Sequence, residues 1–205
     1  MAFNQLDVGV QQNGDGAIVT ARAGKGGETM VSELNGRYYE QAYRGNMFYA
    51  VNSAAQALSL SGTTTYTGLA VANPTGSGKN LAIDEIIWVT TIAPTGVGAV
   101  IVGTSATVAL TTGSSSGPAG TSCLIGGGSG SVAKVGASCT LGGNPTFLRP
   151  LIGIVESSAA GYATVGYKDD VGGGLIVAPG QQIELVAITT AITGVGYISW
   201  VELTQ

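Results

Sequence analysis

Two hundred and five residues, 44% of them hydrophobic, are enough chain for one domain with a proper core, and they exclude a disordered polypeptide. Only 10% of the residues are charged, where a soluble protein averages about a quarter, and the formal net charge is −4. No basic run exists that could follow a phosphate backbone, which argues against nucleic acid as a partner. The absence of histidine, with only two cysteines, removes zinc sites and Ser-His-Asp or Cys-His catalysis.

The charges are unevenly placed: nine of the twenty fall in the first 44 residues, and none lies between 86 and 133. Free-standing proteins use charge to stay dispersed. A long chain this neutral is expected to be part of an assembly, its surface covered by other copies or by a larger partner. A closed homo-oligomer, with a trimer as the first choice, is the simplest expectation.

The opening segment reads as an N-terminal arm over 1–45. Its N-terminus, Met1-Ala2-Phe3-Asn4-Gln5-Leu6-Asp7, lacks the basic and apolar regions of a signal peptide. Asn13-Gly14-Asp15-Gly16 and Gly24-Lys25-Gly26-Gly27 are turn signals, and 17–22 between them could form a short strand. At the end of the arm, Arg37, Tyr38, Tyr39, Tyr43 and Arg44 crowd into eight residues. Tyr39 and Tyr43 share a face either in a helix, at i and i+4, or in a strand, at period 2; the pattern does not choose between them. Tyrosine and arginine are enriched at interfaces, so these five residues are the candidate intersubunit anchor.

From Asn46 onward the pattern is β. Strands are predicted at 47–51, 57–60, 66–72, 80–91, 98–103, 107–110, 147–156, 164–168, 174–177, 182–189 and 196–203. Apolar and polar residues trade faces in Gln182-Ile183-Glu184-Leu185-Val186-Ala187 and again across 197–203. Turn signals such as Asn73-Pro74, Pro94-Thr95-Gly96 and Pro179-Gly180 recur every eight to fifteen residues. Many short strands with such turns predict an all-β, antiparallel β-sandwich over 46–205. A Gly/Ser-rich stretch over 111–145 divides the strands and is expected to be a protruding insertion. The uncharged block is not a membrane span, because Pro94, Gly96, Gly98 and Gly103 interrupt it.

Asn73-Pro74-Thr75-Gly76-Ser77-Gly78-Lys79-Asn80 imitates a phosphate-binding loop. It has asparagine where the first glycine and the magnesium-binding hydroxyl belong, and a strand follows it rather than a helix. It is expected to be a tight strand connection. Asp84-Glu85 and Asp169-Asp170 should point to opposite faces of their strands and be solvated. Cys123 and Cys139 are either reduced thiols or, if the runs beside them form a hairpin, a disulfide. Nothing points to a cofactor, a metal or a small-molecule substrate. An enzyme built here would need a pocket of converging carboxylates.

Three features in order carry a resemblance. They are the run from Gly36 to Phe48 with its tyrosines and arginines, the run from Tyr66 to Leu81 containing Asn73-Pro74-Thr75-Gly76-Ser77-Gly78-Lys79, and Gly174-Leu175-Ile176-Val177-Ala178-Pro179-Gly180 followed by a strand. Together these resemble virion structural proteins of tailed bacteriophages, in particular β-sandwich capsid decoration (cement) proteins. The resemblance covers 36–92 and 172–203, and its motifs are structural rather than catalytic. It implies a jelly-roll-like domain on the capsid surface, bound to the major capsid protein, often trimeric and made in the host cytoplasm. The alternative within the same class is a tail, collar or fibre-knob protein that contacts the host.

Overall fold

The computed structural model describes residues 38–59, 64–107, 118–126, 130–154 and 166–205. The arm up to Arg37, with its predicted strand at 17–22, lies outside the described residues, as do most of 107–110 and the centre of the Gly/Ser-rich stretch. The chain divides at Tyr39/Glu40 into two units, and the described strands all lie in the second, Glu40–Gln205.

The second unit is an antiparallel β-sandwich. One short helix, α1 (Tyr39–Tyr43), precedes eleven strands: β1 (Met47–Val51), β2 (Gln56–Ala57), β3 (Thr65–Asn73), β4 (Lys79–Ile92), β5 (Gly98–Ala106), β6 (Thr121–Ser122), β7 (Lys134–Thr140), β8 (Thr146–Ile154), β9 (Gly166–Val177), β10 (Gln181–Ile188) and β11 (Thr193–Thr204). The first sheet has the order β6-β1-β11-β4-β9, with β2 also paired to β11; the second has the order β7-β3-β10-β5-β8. Without β2, β6 and β7, eight strands remain. The chain changes sheet at every step between them except from β5 to β8, which is a jelly-roll-like winding.

Alternation explains the core. Ile183, Leu185 and Ala187 of β10, Val100 and Val102 of β5, and Ile198 and Trp200 of β11 point inward at period 2 and pack with Trp88, Ile86 and Leu69. Fully burying one such side chain stabilises by about 1.5–3 kcal/mol. The Trp88 indole donates to Thr90 Oγ1 at 3.0 Å, so its polar atom is satisfied inside. Phe48 stacks on Trp200 with ring centroids 6.3 Å apart. Asn73 ties three strand ends together, its Nδ2 donating to the carbonyls of Lys79 and Val177 at 2.8 and 2.9 Å.

The run over 73–80 is a tight β3–β4 connection, with Gly76 and Gly78 at positive φ and Ser77 N donating to Pro74 O at 3.1 Å. Two predicted strands, 164–168 and 174–177, merge into β9. The residues between them, with Gly172 and Gly173 at φ 60° and 84°, form a bulge in one strand rather than a turn between two.

The Gly/Ser-rich stretch does fall between β5 and β8, but its described parts do not protrude. β6 pairs with β1, and β7 pairs with β3. Ala133 is fully buried in the core, and a Cβ at Gly120 would collide with the Trp200 ring. A buried carboxylate fixes this segment. Glu202 Oε1 accepts from Ser131 Oγ and from Val132 N at 2.8 Å, while Oε2 lies 3.6 Å from Lys79 Nζ.

Candidate functional site

The sequence left the form of the Tyr/Arg cluster open; α1 makes it helical. The helix ends at Gly45, whose φ of 72° suits glycine. Gly45 N donates to Ala42 O at 3.1 Å and Asn46 N to Gln41 O at 2.9 Å, a Schellman cap. Tyr39 and Tyr43 therefore lie one turn apart on one face, 48% and 66% exposed, and α1 buries no residue. Arg44 Nε donates to Glu40 Oε1 at 2.5 Å across one turn. Of the five candidates, Arg37 lies outside the described residues and Tyr38 is half-buried beside the helix.

A larger neutral surface lies at one pole of the sandwich, where β1, β4 and β8 end and β5, β9 and β11 begin. The cross-strand registers Val51↔Tyr197, Val89↔Val195, Ile92↔Thr193 and Gly98↔Ile154 place these ends together. Ile92 and Val97 are 60% and 56% exposed, with Val51 and Val89 exposed nearby. Among the described residues, the segments 51–59, 88–98, 152–154 and 188–197 at this pole carry no charge, and the first charge that borders them is Lys168 of β9, opposite Ile87. Sequence reasoning noted part of this as the uncharged block but missed that distant segments converge there. Only strand register could show that.

The charges of this unit cluster elsewhere. On the outer face of the first sheet a bulge between Ile83 and Glu85 interrupts the pairing around Asp84. Both Asp84 and Glu85 thus act on the same hydroxyl, that of Tyr197. Burial pushes it above its ordinary value, and the Cys123 thiol and the two carboxylates push it further, against a hydrogen bond with Ser199. Neither carboxylate is the solvated group expected from sequence: Asp84 is buried, and Glu85 accepts from Lys168 at 2.8 Å. Lys168 also reaches Asp170 at 3.3 Å, and Arg149 of β8 meets Asp169 of β9 at 3.1 Å, linking edge strands of the two sheets. Tyr49 stacks on Tyr197 at 5.9 Å.

Among the described residues of this face, no nucleophile is set beside a base. Cys123 and Cys139 are both free thiols, attached to different sheets. Burial, then Asp84, raises the Cys123 thiol; burial, then Glu184, pushes Cys139 up to about 11. Both stay protonated near neutral pH and are poor nucleophiles. No group of three or more acidic or sulfur ligands is gathered for a metal among the described residues.

One buried acid was missed entirely. The alternation in 182–187 puts Gln182 and Glu184 on the face opposite Ile183 and Leu185, as found, but both are completely buried there, on the outer side of the second sheet. The small residues beside them, Ala70, Ala72 and Gly103, were the available signal that something packs over this face.

No protein-family model, curated protein or solved structure matches the chain. A sandwich of this winding hosts many unrelated functions, so function has to be argued from surfaces and sites.

Proposed function

We propose that this protein is a non-enzymatic structural subunit that works by assembly. In the most specific form of the reading it decorates and stabilises the capsid of a tailed bacteriophage, binding across junctions between major capsid protein subunits as a homo-oligomer, most simply a trimer. The observation that carries the assembly reading is the uncharged pole. Ile92, Val97, Val51 and Val89 are exposed at the strand ends there, while the ion pairs Arg149–Asp169 and Lys168–Glu85 lie farther along the strands. Interface cores are depleted of charge in the same way.

In this reading the pole seats on the capsid and buries neutral surface there, which offsets outward pressure from a packaged genome. The exposed tyrosine face of α1 contacts a neighbouring copy, since tyrosine offers large area with a polar tip. The virion placement rests on the sequence resemblance. The test is an image reconstruction of virions containing this chain. Density on the head lattice, with the pole inward, is the expected result. Density confined to the tail or fibre tips would replace this role with host contact, and absence from the virion would remove both.

A further inference from the structure

The outer side of the second sheet carries a second, smaller apolar cluster: Tyr66, Ala70, Ile101, Cys139, Leu141 and Val186. It exists because the chain folds back over the sheet. Residues 139–145 leave the end of β7 and cross to β8 on the opposite edge of the sheet. Leu141 N donates to Thr64 O at 2.8 Å and Gly142 N to Ala106 O at 3.0 Å, and Pro145 packs against Gly103. These residues form a strap. Under it, beside Ala70 and Gly103 in the register, lies Glu184.

Glu184 has little to sustain a charge there. Gln182 Nε2 donates to its Oε2 at 2.8 Å. Ser105 lies close enough to favour the ionised carboxylate, but neither Glu184 Oε1, Ser105 Oγ nor Gln182 Oε1 has a well-formed hydrogen bond, although Gln182 and Ser105 are a directly paired cross-strand couple. A single added proton resolves this shortage. With small side-chain rotations, a protonated Glu184 donates to Ser105 Oγ, the serine hydroxyl donates to Gln182 Oε1, and the amide already donates to Glu184. The ionised carboxylate supplies no such donor, and its charge is fully buried.

We propose that Glu184 is a proton-operated latch for the 139–145 strap: protonated, it holds the strap closed over the second sheet, and its ionisation releases the strap.

The titratable groups that face it do not compensate. Tyr66 of β3 and Cys139 of β7 both hold their protons more tightly than usual, first because of burial. Lys134 of β7 lies in the row of Ala72 and Gln182, and no ion pair joins it to Glu184 among the described residues. β5 presents Ile101, Gly103 and Ser105, none charged. Burial pushes the Glu184 carboxyl up to about 7, against the lowering effect of Gln182 and Ser105. A folded value above the ordinary 4.5 means the closed form is fully favoured below about 4.5 and loses that advantage as pH rises through about 7. The strap is the element that yields, because opening it disrupts the six-residue outer cluster and leaves the larger inner core intact. This inference is independent of the assembly reading.

Cys139 reports the opening. In a Cys123→Ser background, the labelling rate of Cys139 is divided at each pH by that of an unfolded reference thiol, which removes the thiol's own titration. Moving a carboxyl between about 7 closed and 4.5 open predicts that protection falls about thirty-fold from roughly pH 5.5 to 8.5. Glu184→Gln should show a flat ratio. The same fall in Glu184→Gln, no fall in the parent, or labelling as urea-sensitive as global unfolding would each overturn the latch. Should Glu184→Gln not fold, infrared titration of the parent's buried carboxyl decides: a midpoint near 7 that tracks labelling supports the latch, and an ordinary midpoint overturns it.

Discussion

Replacing Glu202 by alanine should loosen the whole 118–135 region as well as one strand end. The carboxylate is almost fully buried and holds two donors on one oxygen, the Ser131 hydroxyl and the Val132 amide. Removing it strands both, and each unsatisfied buried donor costs about 1–3 kcal/mol. The Lys79 contact is long at 3.6 Å and its side chain is partly exposed, so it adds little. The expected loss is about 2–5 kcal/mol, which at this domain size lowers the melting temperature by roughly 10 °C. Glu202→Gln keeps an acceptor at Oε1 and should lose only about 1–2 kcal/mol. Urea melts of both variants give the global figures, and amide exchange at Ser131, Val132 and Ala133 gives the local one. A Glu202→Ala protein that melts within about 2 °C of the parent, with those amides still protected, would refute the claim that this carboxylate docks the segment.

Ile92→Lys with Val97→Lys should abolish oligomer or capsid binding while leaving the melting temperature nearly unchanged, because both side chains are already exposed; sedimentation with and without capsids checks this. Tyr39→Ala and Arg44→Ala should weaken assembly, with a true anchor costing about 2 kcal/mol or more in binding. Equal loss of folding stability, with assembly intact, would instead assign the helix to the fold. Gly194→Ala should destabilise by about 3 kcal/mol or more in a urea melt, since its Cβ would overlap Val89 O and the Trp88 ring; a neutral result would show that β11 can shift away from β4.

Much of the sandwich was legible because strand alternation is a local signal. The Tyr197–Leu203 pattern places Ile198 and Trp200 inward, and the Pro74, Gly76 and Gly78 punctuation marks the β3–β4 turn, both as found. The failures share one cause, which is that the deciding partner is distant in sequence. The burial of Gln182 and Glu184 is not legible because nothing near them in sequence announces the strap from 139–145. The pattern splits into strands at 164–168 and 174–177, but pairing with β4 on both sides of the gap keeps β9 continuous. Asp84 and Glu85 looked like opposite-facing neighbours, and the bulge at that point alters the rule. Tyr39 and Tyr43 stayed ambiguous because five helical residues are too few to reveal a period.

The strand order also dictates when this molecule can close during synthesis. β1 and β4 do not pair with each other; β11 lies between them. β3 and β5 do not pair either; β10 lies between those. The two central strands are thus the two that leave the ribosome after all the others. Until they arrive, four earlier strands wait with unfilled hydrogen-bonding edges, a state open to mispairing with any other nascent chain. Their sequences moderate that hazard: β4 carries Asp84 and Glu85 in its middle, and β3 and β5 are interrupted by Gly68 and Gly103. The register needed at the end is therefore guarded by the same charges and glycines that look like defects in isolated strands.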